Sequence, residues 1–348
     1  MPRTDLENPS DRKAYIITGP TSGIGRRTAF ELAKHGTVVL VGRDRRKLDE
    51  VQEAIKQKGQ HAVSVSVVCD LSDPASVARA AAEIIALHLP IAGVLNNAGI
   101  GGQMRPTKNA LGWDMTFATN HLGPFALTEA LVPHLPDGAN VVFVASGVED
   151  PERKLAKAVG FRGGRYISAE ASARGEWKPG GATQPGFDAY ATSKQANLAT
   201  VMAFARETPR LRFNALEPGF IPNTGLARGA NVLVLFLLKY ILPLLAPFMK
   251  YWSTAKRAGR VAAKVLIDAS LSDRYLLRRR RPPDARFRAC AGPEVPGSRR
   301  RRNTRFAVDS SRTLVQARLR FRKPGQKKSP FVSRPELDTR FHPNAEGR

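Results

Sequence analysis

Cysteine is scarce in this chain. The 348 residues include two, Cys69 and Cys290, and two distant thiols support neither a disulfide framework nor a cysteine-rich metal site. A reducing cytosol suits such a chain, and a cytoplasmic setting is expected. Acid is also in short supply, with 30 Asp+Glu against 55 Lys+Arg and a formal net charge of +25. The imbalance is local. Residues 274–348 hold 22 basic and 6 acidic residues, a net +16, which leaves +9 for the rest. The two parts need separate explanations. The first 13 residues are polar and lack the apolar core of a secretory signal. An uninterrupted apolar span is missing too. Residues 232–252 (VLVLFLLKYILPLLAPFMKYW) have the length of a membrane crossing, but Lys239, Pro243 and Pro247 break the run.

What is present is an alternation of short apolar runs and helical patterns. Residues 13–18 (KAYIIT), 37–41 (TVVLV), 62–69, 91–95, 140–145 (NVVFVA) and 211–216 (LRFNAL) read as strands. Residues 26–35, 48–58, 74–88 and 109–134 read as helices between them. A further helix over 253–268 carries an apolar stripe at Ala258, Val261, Ala262, Val265 and Leu266. Strand–helix alternation predicts right-handed βαβ units and an α/β fold, a doubly wound parallel sheet of the Rossmann type. Six strands make one domain over 13–272. A flexible stretch, 1–12, precedes it, and a basic, disordered C-terminal tail over 273–348 follows.

The first strand ends in Thr18-Gly19-Pro20-Thr21-Ser22-Gly23-Ile24-Gly25, and a helix follows. Glycines there let the backbone turn tightly and approach a pyrophosphate, which the positive helix N-terminus favours. Thr18, Gly19, Ser22, Gly23, Ile24 and Gly25 are therefore candidate dinucleotide contacts. The end of the second strand is where such folds choose between NAD and NADP. A terminal acidic residue would bind the ribose hydroxyls and repel a 2′-phosphate. Here Arg43 occupies that neighbourhood and Arg26 follows the glycine turn, and two guanidiniums suit a phosphate dianion. The reading is NADP(H), with Asp44 as a helix N-cap.

Asp70, Asn97, Ser146 and the glycine turn all fall at predicted strand C-termini, where ligands bind in such sheets. Ser146 has no adjacent histidine and no nucleophile elbow, so its hydroxyl reads as a hydrogen-bond partner for a substrate oxygen. Tyr190 and Lys194 stand four apart, on one face of a helix. A free phenol has a pKa of about 10, and an ammonium one turn away is expected to lower it. The pair reads as a general acid/base.

Together, Thr18-Gly19-x-x-x-Gly23-x-Gly25, Asn96-Asn97-Ala98-Gly99, Asn120, Ser146, Tyr190-x-x-x-Lys194 and Pro218-Gly219 resemble the short-chain dehydrogenase/reductase family from about residue 13 to about 269. The details are similar to the retinol-dehydrogenase, WW-domain oxidoreductase and protochlorophyllide-reductase branch, and to daunorubicin C-13 ketoreductases. The resemblance implies that Tyr190 donates the proton in carbonyl reduction. It implies that Lys194 binds the nicotinamide ribose and acidifies Tyr190, and that Ser146 hydrogen-bonds the carbonyl oxygen. Asn120 would hold a relay water. Asp70 and Leu71 would flank the adenine, Asn97, Ala98 and Gly99 would line the adenosine side, and Pro218 and Gly219 would pass the nicotinamide. The implied activity is an NADP(H)-dependent oxidoreductase acting on a lipophilic ketone, aldehyde or alcohol.

Three stretches depart from the simplest family pattern. Residues 147–188 form an enlarged active-site loop, expected to be a lid or to lack structure of its own. Residues 225–252 read as an apolar substrate lid, with peripheral membrane contact as the rival. After Gly219, Asn223 or Thr224 could fill the family's threonine slot. The tail, with arginine runs at 278–281 and 299–302, reads as disordered, as an RNA- or anion-binding segment, or as a shifted-frame product. The competing function is a catalytically inactive cofactor-binding scaffold or sensor using that tail. No specific nucleic acid is expected, and the expected state is a monomer or homodimer.

Overall fold

In a computed structural model of the chain, residues 12–59, 62–101, 106–184, 186–219, 221, 253–268, 270, 275–276, 289–290 and 311–315 are described. The six apolar runs form strands β1 (Ala14–Thr18), β2 (Thr37–Gly42), β3 (Ser64–Val68), β4 (Ile91–Asn96), β5 (Asn140–Val144) and β6 (Arg212–Leu216). They pair in the order β3-β2-β1-β4-β5-β6, all parallel. The chain winds outward from β1 to β3, then crosses back to β4. The order therefore reverses between β1 and β4, and the crevice at that reversal lies at their carboxyl ends.

Strand periodicity sorts the core into two layers. Ala14, Ile16, Val39, Val41, Val141, Phe143 and Phe213 face one layer, and Tyr15, Ile17, Val38, Leu40, Val142, Val144 and Leu216 face the other. The first layer is covered by α3 (Pro74–Ala86), α5 (Gly123–Leu131) and α8 (Phe187–Glu207). The second is covered by α1 (Gly23–Leu32), α2 (Arg45–Lys56) and α9 (Ala255–Ile267). Burial on both faces is why the strands are apolar runs and not alternating ones. Asp44 caps α2 by accepting from the Lys47 amide at 3.2 Å, and Asp73 and Thr254 cap α3 and α9 in the same way.

Two expected elements take a different form. The long helix over 109–134 is broken into α4 (Met115–Phe117), a π turn (Ala118–Leu122), α5 and a closing 3₁₀ turn (Val132–His134). Asp114 starts it by accepting from the Phe117 amide. The enlarged loop over 147–188 carries a 3₁₀ turn (Gly147–Glu149) and helices α6 (Lys154–Ala158) and α7 (Ala169–Arg174). Ala169, Ala171, Ser172 and Ala173 are buried, and the Ala173 carbonyl accepts from the Asp114 amide. The insert has its own structure because small side chains let α7 seat against the domain.

Three short pieces from 273–348 join this domain. Tyr275–Leu276 (β7) pairs in parallel with β6 through Leu216 and Leu276, and Ala289–Cys290 (β8) pairs antiparallel with β7. Residues 311–315 are helical, with Ser311 and Val315 buried. Ser311 Oγ lies 3.0 Å from His121 Nε2, and Arg312 pairs with Glu129 and with Glu207. The apolar lid over 225–252, Asn223, Thr224 and the rest of the tail lie outside the described residues. Among those described, no helix is long and apolar enough to cross a membrane.

Candidate active site

The glycine turn is built by two buried polar side chains as much as by its glycines. The Thr18 hydroxyl, fully buried, accepts from the Asn97 and Ala98 amides at 3.0 Å each. The Asn97 side-chain amide donates to the Thr18 carbonyl at 2.9 Å and the Gly19 carbonyl at 3.2 Å. The end of β1 is thereby tied to the end of β4. Thr18 and the Asn97 side chain, read from sequence as cofactor contacts, have their hydrogen bonds spent on shaping the turn. Gly19 has φ +68°, and a Cβ at Gly25 would stand 2.1 Å from the Gly19 carbonyl oxygen. Only a bare backbone fits there.

The residues present fit a pyrophosphate. Helix α1 starts at this turn with no acidic residue in its first turn, and the exposed Ser22 at its N-cap makes no capping bond with its side chain. The first amides of a helix are donors without intrahelical partners, at the positive end of the dipole. Gly23 opens α1 with φ +55°, and Ile24 follows half-buried. Arg26 and Arg43 are exposed, after the turn and after β2, and the Arg26 guanidinium lies 5.6 Å from the centre of the Phe30 ring.

Asp70 follows β3, and its Oδ1 accepts from the Ser72 amide and hydroxyl at 2.9 and 2.7 Å. Leu71 is buried in the core, and its carbonyl packs against Gly123. The Asp70 amide donates to Ser76 Oγ at 3.0 Å and its carbonyl accepts from the Asp73 amide at 3.1 Å, so the groups bonded here shape the turn after β3.

The catalytic candidates converge across the crevice. The π turn winds Asn120 inward, and it is buried. Its side chain brackets Ile100, accepting from the amide at 2.8 Å and donating to the carbonyl at 2.9 Å, and it donates to Ser193 Oγ at 3.2 Å. Its own carbonyl accepts from Asn197 Nδ2 at 3.0 Å. A Cβ at Gly99 would lie 3.3 Å from Asn120 Oδ1 and 3.8 Å from Lys194 Nζ, so all three sit together. Lys194, 4% exposed, donates to the Val144 carbonyl at 2.8 Å, and its Nζ lies 5.7 Å from the centre of the Tyr190 ring. Ser146, just past β5, shares a side-chain hydrogen bond with Tyr190. Pro218 and Gly219 follow β6, half-buried at the same end of the sheet.

The electrostatics correct one expectation from the sequence. Lys194 was expected to lower the phenol's pKa, yet in the chain alone burial dominates both groups. It pushes Tyr190 up to about 12, with the Ser146 hydrogen bond pulling the other way, and it pulls Lys194 down to about 8. Spacing places the two residues on one helix face, but low polarity around both opposes charge on either. At neutral pH the phenol is therefore protonated. That is the form able to hand a proton to an oxygen.

Sequence reasoning missed several contributors. Ser193 and Asn197 brace Asn120 from α8, and Phe161 stacks on Phe187 with ring centres 4.0 Å apart, 6.2 Å from the Tyr190 ring. Arg153 and Glu217 form an ion pair beside Ser146. An acidic residue immediately after β6, in Glu217-Pro218-Gly219, was the one visible hint. Among the described residues, no cluster of His, Cys, Asp or Glu could hold a metal.

A family model described as short chain dehydrogenase matches residues 13–156. The chain is 30% identical over 236 residues to dehydrogenase/reductase SDR family member 12 of Bos taurus, a match covering 64% of each protein, so it spans a little under two thirds of that relative. It is 30% identical over 282 residues to protochlorophyllide reductase B of Hordeum vulgare, covering 74% of this chain and 68% of that one. In fold it resembles the crystal structure of a blue fluorescent protein from a metagenomic library in complex with NADPH. That match has a TM-score of 0.53 and 21% identity, and covers 74% of this chain and 92% of that one. The chain belongs to the short-chain dehydrogenase/reductase family of oxidoreductases.

Proposed function

We propose that this oxidoreductase uses NADP(H) and reduces a lipophilic ketone or aldehyde, or oxidises the matching alcohol, with Tyr190 as the acid/base. The observation that carries the reading is the contiguous set Ser146–Tyr190–Lys194–Asn120, gathered opposite an anion-binding glycine turn. A bound nicotinamide supplies or accepts the hydride. The chain's own residues handle the oxygen. Ser146 and Tyr190 share a hydrogen bond, and both hydroxyls can reach one substrate oxygen as negative charge grows there. The phenol is protonated at neutral pH, the form that donates in the reductive direction; burial makes it a weaker acid, and the Ser146 hydrogen bond works against that. Lys194, half-way to losing its own proton at about pH 8, stands beside the ring where its charge stabilises the phenolate left behind. Asn120 is rigidly braced next to Lys194, a placement suited to holding a water that returns the proton.

The 2′-phosphate preference rests on the exposed Arg43 and Arg26; Asp44, the acidic residue next to Arg43, is engaged in capping α2 and pairs with Lys47. The NADPH-bound protein that shares this fold is consistent with that choice. The lipophilic substrate rests on the apolar stretch over 225–252 and on the stacked Phe161–Phe187 pair next to Tyr190.

The test is Tyr190→Phe assayed with NADPH against a panel of lipophilic carbonyls. Turnover should fall by about three orders of magnitude or more, the range of a lost general acid and oxyanion partner combined. NADPH should still bind, read by cofactor fluorescence. Wild-type turnover in the variant defeats the assignment.

A further inference from the structure

Where β5 and β6 leave the sheet, the parallel ladder stops. Its last bond runs from the Ala145 amide to the Leu216 carbonyl at 2.9 Å. Two residues beyond Leu216 comes Pro218, which has no N–H to carry a ladder further. Past this point side chains join the two exits. Arg153, in the insert, donates from Nη2 to Glu217 Oε1 at 2.6 Å and from Nη1 to Oε2 at 3.2 Å. The Glu217 side chain is 7% exposed and that of Arg153 29%. A fork-on-fork pair fixes direction as well as distance. At this burial, removing one partner strands the other charge.

The pair lies against the backbone next to Ser146. A Cβ on Gly147 would stand 2.5 Å from Arg153 Cζ and 2.7 Å from Glu217 Oε1, so the absence of a side chain there admits the guanidinium. Further along, the Gly164 amide donates to the Glu149 carbonyl at 2.9 Å, and the Arg165 amide to Thr192 Oγ1 at 2.8 Å. The insert is thus fastened to the exit of β6 at one end and to α8 at the other. Ser146 immediately precedes the insert, and Tyr190 lies on α8 two residues before Thr192.

We propose that Arg153 and Glu217 are positioning residues: their ion pair clamps the Ser146 turn to the Glu217-Pro218-Gly219 exit, holding the serine hydroxyl in register with Tyr190. This rests on the proposed reaction for its catalytic consequence, but the clamp itself is a statement about the chain. Neither side chain touches the reacting atoms. Each acts through the backbone on either side of the crevice.

The test compares Glu217→Gln, Arg153→Lys and the double variant Arg153→Met/Glu217→Leu with the parent protein. Three readouts are taken: kcat and KM for 9,10-phenanthrenequinone with NADPH, NADPH fluorescence, and amide hydrogen exchange over residues 147–165. Glu217→Gln and the double variant should lose about tenfold or more in kcat, with KM for the quinone changed by about twofold or less, because misplacement of a positioned group is felt in the chemical step. Exchange over 147–165 should quicken while NADPH still binds. Arg153→Lys keeps the charge without the fork and should fall in between. If the double variant fails to fold, Glu217→Gln and Arg153→Lys carry the comparison. Unchanged kcat in folded variants whose 147–165 amides exchange faster overturns the catalytic consequence. Unchanged exchange overturns the clamp. If the parent protein does not reduce the quinone at all, that failure belongs to the reaction, and the exchange measurement still decides the clamp.

Discussion

Replacing Gly25 by alanine sets two physical effects against each other. Gly25 lies in the first turns of α1, and in a helix alanine is favoured over glycine by about 0.5–1 kcal/mol, so propensity alone predicts a more stable protein. Packing predicts the reverse. The new Cβ would stand 2.1 Å from the Gly19 carbonyl oxygen and 2.5 Å from Asn97 Nδ2, where real contacts stay beyond 3.0 Å. The carbonyl would have to retreat from 2.1 to 3.0 Å, about 0.9 Å. It cannot do so alone, since it accepts from Asn97 Nδ2 and its residue's amide donates to the Val41 carbonyl at 2.9 Å. Overpacking of this kind costs about 1–3 kcal/mol and exceeds the propensity gain. The expected net loss is about 1–2 kcal/mol, a drop of about 2–8 °C in Tm. NADPH affinity should fall about tenfold or more, because the displaced turn is the anion cradle. Gly112→Ala is the control. That glycine has φ +76° and nothing within 4 Å of an added Cβ, so it should cost stability through backbone strain and leave NADPH affinity intact. Thermal unfolding and a fluorescence titration read both quantities. A Gly25→Ala protein with raised Tm and parental NADPH affinity would refute the reasoning.

Two further outcomes follow from single side chains. Arg43→Ala should weaken NADPH by about tenfold or more while barely changing NADH, since a guanidinium pairs with the 2′-phosphate that only NADPH carries; equal losses for both cofactors in paired titrations would sink the cofactor preference. Burial pulls the His121 pKa from 6.5 down to about 4, partly offset by its hydrogen bond to Asn197, so the unfolded chain binds more protons than the folded one between those values. Stability should be whole above pH 6.5 and decline as pH falls toward 4, by about 3 kcal/mol from this group at full protonation. Urea midpoints at pH 7 and pH 4.5 measure it, and a His121→Gln protein with the same decline would remove His121 as the cause.

Much of the fold is legible because it is written in local pattern. Apolar runs at 13–18, 37–41 and 140–145 become strands within a residue of the expected limits, and Tyr190 and Lys194 share a helix face because spacing alone dictates it. Patterns fail where one element's form depends on another. The stretch 109–134 looks continuously helical, and only its seating against 96–100 and α8 explains the π turn that turns Asn120 inward. The insert over 147–188 looks like an open loop by composition, yet buried alanines and the Arg153–Glu217 pair, 64 positions apart, give it a fixed place. Residues 274–277 are the sequence's candidate for a last strand, and Tyr275–Leu276 takes that place at the edge of β6.

By itself, the order of residues determined the βαβ alternation, the bare-backbone turn at Gly19–Gly25 and the helical spacing of phenol and ammonium, since each depends on neighbours within a few positions. Tertiary structure decided the rest: that Thr18 and Asn97 serve the turn, that Glu217 finds Arg153, and that burial outweighs the Lys194 charge in setting the Tyr190 proton. Those are effects of surroundings assembled from distant parts of the chain, and polarity and pairing at a point in space have no signature in the local pattern.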